Sequence, residues 1–71
     1  MHTVTFERLE TKALRPGDLV LWADELVLCV AVSLRAGGAD ASVMFLSSSG
    51  LRFIVALEHG RVCLVQASQG V

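Results

Sequence analysis

Apolar and polar residues alternate along most of this chain, and a period of two is the signature of β-strands. Positions 2–8 open the pattern, with Val4 and Phe6 on one parity and Thr3, Thr5 and Glu7 on the other. Positions 9–15 show no clear period and read as a turn or helical loop. Pro16-Gly17-Asp18 is a turn with a mechanism. Proline presets φ, glycine supplies the positive φ that follows, and aspartate bonds nearby amides. Strands then fall at 19–23, 26–34, 42–46, 51–57 and 61–66. The connections are Asp24-Glu25, a loop over 36–40 around Gly37-Gly38, Ser47 to Gly50, and Glu58-His59-Gly60. Short links between successive strands predict antiparallel pairing. The expected fold is all-β, a small antiparallel barrel of five to six short strands with no substantial helix. Closure is the usual way for such a sheet to hide its edges.

The whole chain, 1–71, is expected to be a single domain. Positions 1–13 would supply an N-terminal strand and connection, 14–67 the barrel, and 68–71 a loose tail. A domain of this length buries only roughly 60% of its unfolded surface, which leaves little core to spare for a deep catalytic cleft.

This order resembles the SH3-like small barrels of the KOW and Tudor type. The likeness is carried by Leu14-Arg15-Pro16-Gly17-Asp18-Leu19-Val20, the tight Asp24-Glu25 connection and the Val-rich strand ending near Leu34. The Gly37-Gly38 loop, the Gly50 turn and the Glu58-His59-Gly60 turn before the last strand also fit. Over about 14–67 the pattern is similar to the leading domain of the translation elongation factor P family. That family carries a modified lysine in the loop corresponding to 36–40. The one lysine here is Lys12, so a translation-factor role does not carry over. The resemblance implies a fold, and this fold hosts many functions.

Assigning faces by parity puts Leu19, Leu21, Leu26, Leu28, Val30, Val32, Phe45, Phe53, Val55, Leu57, Val62 and Leu64 inward. The other parity, which should face water, is almost as apolar. It holds Val20, Trp22, Val27, Cys29, Ala31, Met44, Leu46, Ile54, Ala56, Cys63 and Val65. A solvated strand face would carry Lys, Glu and Thr instead. Soluble monomers rarely expose so large an apolar patch. The chain is therefore expected to self-associate, with Val20, Val27, Cys29, Met44, Ile54 and Val65 at the oligomer interface.

Composition sharpens this picture. Hydrophobic residues make up 54% and charged residues 18%, with a net charge of −1. Such a balance excludes disorder and disfavours nucleic acid as the main partner. No apolar run approaches the ~20 residues of a membrane helix. The first ten positions show no signal-peptide pattern, so the expected location is the cytoplasm, away from any membrane. Cys29 and Cys63 sit in apolar runs without CxxC spacing and read as buried thiols. With His2 and His59 they form no local ligand pair, so no metal or other cofactor is expected. No nucleophile elbow and no phosphate loop occurs, and the chain is not expected to be an enzyme.

Candidate binding chemistry lies in the arginines and one turn. Arg35, Arg52 and Arg61 stand on or beside strand ends, where their forks suit carboxylate or phosphate. Ser48 and Ser49, in the Ser47–Gly50 turn, offer hydroxyls and amides to an anion. Trp22 is the single tryptophan and a candidate stacking residue. The expected function is a non-enzymatic barrel that works as a homo-oligomer and docks or sequesters a partner. That partner is a protein or a small anionic, nucleotide-like ligand between subunits, as a viral accessory protein would trap one. The alternatives are a nucleic-acid-binding barrel and a structural assembly subunit.

Overall fold

The computed structural model describes residues 5–34 and 37–67. Six strands form one antiparallel sheet: β1 (Phe6–Glu10), β2 (Leu19–Trp22), β3 (Glu25–Leu34), β4 (Asp40–Leu46), β5 (Arg52–Glu58) and β6 (Val62–Gln66). A single 3₁₀ turn, Thr11–Ala13, follows β1. The lateral order is β1-β6-β2-β3-β4-β5. Among the described residues no ladder joins β1 to β5, so each is an edge strand.

The turns follow their chemistry. Asp18 N–H donates to the Arg15 carbonyl at 3.1 Å, Arg15 N–H donates to the Asp18 carboxylate at 2.9 Å, and Gly17 takes φ +101°. The β2–β3 hairpin turns on Ala23 (φ 48°) and Asp24 (φ 65°), two left-handed residues without glycine's freedom. Paired positive φ is the backbone of a tight two-residue hairpin whose twist matches its strands. After β1, Thr11 is fully buried, and both its N–H and its hydroxyl donate to the Arg61 carbonyl. That ties the 3₁₀ turn to the start of β6.

The core is Leu14, Val20, Val27, Cys29, Ala41, Val43, Phe45, Leu57, Cys63 and Val65, flanked by Leu9, Trp22, Val32, Phe53 and Val55. This corrects the parity read from the sequence. In β4 and β5 the expected inward residues Phe45, Phe53, Val55 and Leu57 do face the core. In β2, β6 and the first half of β3 the faces are reversed. Leu19, Leu26, Val62 and Leu64 are exposed, while Val20, Val27, Cys29, Cys63 and Val65 are inside. In β1, Phe6 is exposed and Leu9 packs on the core.

The physical reason lies in β3. Cys29 pairs with Phe45, but Ala31 pairs with Met44, so Val30 is an extra residue in the ladder. A bulge of this kind shifts the parity of a strand and bends it. Inward positions are odd before it (Val27, Cys29) and even after it (Val32). One parity drawn through the whole of β3 can be right on one side of Val30 only.

Four residues expected at an oligomer interface therefore lie elsewhere. Val20, Val27, Cys29 and Val65 are at most 2% exposed within the single chain, where they form its own core. Met44 and Ile54 do face outward, on β4 and β5.

Candidate functional site

The reversal leaves a different apolar surface on the outer face. Leu28 stands opposite Leu19 in β2 and opposite Leu46 in β4, and Leu46 stands opposite Arg52. Leu26 stands opposite Leu21. The β2–β6 register, set by Val20 opposite Val65, brings Leu64 beside Leu21. Leucines thus run side by side across β6, β2, β3 and β4, and the charged residues of those strands, Glu25 and Asp40, lie at strand ends away from the middle of the row. Leu19, Leu26 and Leu64 are each more than a third exposed. Ile54 is 63% exposed beside Met44, which extends the surface onto β5.

Two of the candidate binding residues meet. The Arg61 guanidinium lies over the Trp22 ring, 5.2 Å from its centroid. Trp22 in turn packs against Phe45, and Phe45 against Phe53, each with centroids 5.6 Å apart. A cation is thus stacked on an aromatic row that leads into the core. Arg61 is held by its backbone, whose N–H donates to Glu58 and whose carbonyl accepts from Thr11.

The serine turn is already occupied. The Ser48 hydroxyl donates to the Glu25 carboxylate at 2.8 Å. Ser47 and Ser49 share a hydroxyl hydrogen bond of 2.9 Å, and the Leu51 N–H donates to the Ser47 hydroxyl. Glu25 places a negative charge where an anion would have to sit. Its distance from Ser48 in sequence hid the pairing, which the β3–β4 ladder brings about by setting the start of β3 beside the turn after β4. Arg52 is exposed at the start of β5, and Arg35 lies outside the described residues.

Two shallow depressions stand out among the described residues. One, about 510 Å³, is lined by Asp40, Ala56, Leu57, Glu58, Gly60 and Arg61. The other, about 390 Å³, is lined by Glu7, Gly17, Asp18, Leu19, Val65, Gln66 and Ala67. Carboxylates outnumber cations in both.

Cys29 and Cys63 are buried free thiols. Burial pushes the Cys29 thiol above its ordinary range, and the Asp18 charge pushes it further. It therefore stays protonated and is a poor nucleophile or ligand. Among the described residues no cluster of His, Cys, Asp and Glu could hold a metal ion. His59 is half-buried in the β5–β6 turn, and its shielded Nε2 has no hydrogen-bond partner there. Among the described residues no helix is long and apolar enough to cross a membrane.

Comparison with models of known protein families, with curated proteins and with solved structures finds no match to this chain.

Proposed function

We propose that this chain is a non-catalytic binding module that works as a homo-oligomer. The observation that carries the reading is the outer leucine surface over β6, β2, β3 and β4. The interior strands of a solvated sheet would alternate apolar with charged residues, and these do not. Self-association removes such a surface from water at about 25 cal/mol per Å² of apolar area.

The sheet that presents it is proposed to curl into an SH3-like barrel. The Val30 bulge supports this, because it bends β3 between the half that pairs with β2 and the half that pairs with β4. So does the single core cluster shared by residues of β2 through β6. A lone sheet with no covering layer buries one face only by curving around it.

The cargo or partner would be taken up between subunits. Neither depression of the single chain suits an anion, since each is lined by carboxylates. A small anionic, nucleotide-like ligand would depend on Arg61, which offers a guanidinium stacked on Trp22. Nucleic acid is a weaker reading, because Arg8, Arg15, Arg52 and Arg61 are dispersed over different elements with acids between them.

Native mass spectrometry of freshly purified protein, with and without denaturant, tests the proposal. An oligomer of the 7.6 kDa chain is expected, with any co-purified ligand appearing as a mass lost on denaturation. A bare monomer at micromolar concentration would overturn it.

A further inference from the structure

β5 is an edge strand of seven residues, Arg-Phe-Ile-Val-Ala-Leu-Glu. Its register with β4 is continuous from Asp40 opposite Glu58 to Leu46 opposite Arg52, without a bulge. It has no proline and no lysine, and its five middle residues are uncharged. Natural edge strands are usually blunted by such devices. The other edge, β1, is blunted in this way, with Glu7, Arg8 and Glu10 among its five residues.

The backbone of β5 is ready for another strand. The Ala39 carbonyl accepts from His59 N–H, and the Leu51 carbonyl accepts from Ser47 N–H. These pairs bracket the ladder, so Phe53, Val55 and Leu57 exchange hydrogen bonds with β4. The N–H and C=O groups of Ile54 and Ala56 then point to the open edge.

Charge selects the occupant. Glu58 stands opposite Asp40, a like-charge pair that costs stability. Among the described residues neither has a cation within salt-bridge distance, and neither does Arg52 have an acid. β5 is chemically palindromic about Val55. If two copies pair antiparallel around that residue, Val55 meets Val55 once on the axis, and Phe53 meets Leu57, Ile54 meets Ala56 and Arg52 meets Glu58, each twice. The arginine of each copy then lies beside the Asp40–Glu58 pair of the other. Asp40, Ala56 and Glu58 also line the 510 Å³ depression, where Arg61 is the one cation. The inner face continues across the junction with apolar residues only.

We infer that β5 is the dimerisation edge, pairing with β5 of a second copy about a two-fold axis at Val55 to make one continuous sheet. The inference rests on the self-association proposed above and adds a second contact, at the sheet edge, to the outer leucine face. A two-fold contact is closed, so it consumes the β5 edge of both copies, and through that edge association stops at two chains.

The test is a charge-swap series followed by sedimentation velocity and amide exchange. Arg52→Glu sets Glu against Glu at both ends of the junction, and Glu58→Arg sets Arg against Arg. Each is expected to weaken dimerisation roughly tenfold to a hundredfold, as two like-charge pairs replace two opposite ones. The double variant Arg52→Glu/Glu58→Arg restores opposite charges and is expected to dimerise again. Glu58→Arg also relieves the contact with Asp40 inside the chain, so its loss of dimer is not a loss of fold. Ala56→Pro removes an N–H that faces the open edge, not β4, and should give folded monomer. In the wild-type dimer the Ile54 and Ala56 amides should be protected from exchange.

An oligomer whose mass is unchanged in Arg52→Glu, with fast exchange at Ile54 and Ala56, overturns the inference and leaves self-association through the outer leucines standing. A wild-type chain that is monomeric overturns both.

Discussion

The Arg61 guanidinium rests over the Trp22 ring at 5.2 Å from the centroid, at the exposed end of an aromatic row that reaches Phe45 and Phe53. Arg61 precedes β6 and Trp22 ends β2, so this contact fastens two strands whose direct register is Val20 opposite Val65. A stacked cation at an exposed site contributes about 0.5–1 kcal/mol. Arg61→Ala is expected to lower stability by that amount and to change Trp22 fluorescence in the folded state. Urea denaturation followed by fluorescence measures both. An unchanged emission spectrum would mean that the two side chains do not stack in solution.

Adjacent residues in β3 should respond in opposite ways to the same substitution. Val27 is 1% exposed, whereas Leu26 is 37% exposed on the outer face. Val27→Glu buries a charge with no partner, and a domain of this size has only about 4–10 kcal/mol to lose. It is expected to unfold the chain. Leu26→Glu should leave a folded protein with weakened self-association. Circular dichroism and sedimentation on the two variants decide this. If Leu26→Glu unfolds and Val27→Glu does not, the faces are assigned the wrong way round.

The β2–β3 turn carries strain that can be removed. Ala23 at φ 48° and Asp24 at φ 65° occupy a region that favours Asn and Gly. Replacing Ala23-Asp24 by Asn-Gly is expected to stabilise the chain by about 0.5–1 kcal/mol. For a domain of this size that is a rise in Tm of about 2–8 °C. Differential scanning calorimetry checks it, and a fall in Tm would argue against a paired left-handed turn.

Alkaline stability should depend on Cys29. Its folded pKa is raised above 9.0, the ordinary thiol value, first by burial and then by Asp18. The unfolded thiol therefore ionises first as pH rises. The stability conferred by the neutral buried thiol is complete below pH 9.0 and declines above it, as pH rises through the folded pKa. Cys29→Ala should flatten that alkaline loss, at the cost of a small cavity. A Tm profile between pH 7 and pH 11 in both proteins measures it. Identical slopes above pH 9 would remove Cys29 as the cause.

Much of the architecture was legible from local chemistry. The period of two places every strand after β1 to within two residues, and Pro16-Gly17-Asp18 marks its turn by residue type alone. Cys29 and Cys63 were readable as buried thiols because each sits in an apolar run. The binding residues were less legible. Arg61 and Trp22 are each candidates by residue type, but their contact joins elements 39 positions apart. Ser48 looks like an anion donor by its turn alone, and Glu25, to which it donates, lies 23 positions away. The charged ends of β5 were visible in the sequence, but only its place at the sheet edge gives them a use.

Composition and alternation determined that this chain is an antiparallel β structure with short turns and too few charges for its surface. Those properties are local: turn residues set φ, and β-branched and apolar residues at alternate positions favour the pleat. The tertiary structure decided which parity is the inside. With both parities apolar, burial energies nearly cancel between the two choices, so alternation cannot select one. The single extra residue at Val30 breaks the tie by letting β3 present Val27 and Cys29 to the core on one side and Val32 on the other. That bulge is a property of the ladder between two strands, and no residue type in β3 announces it.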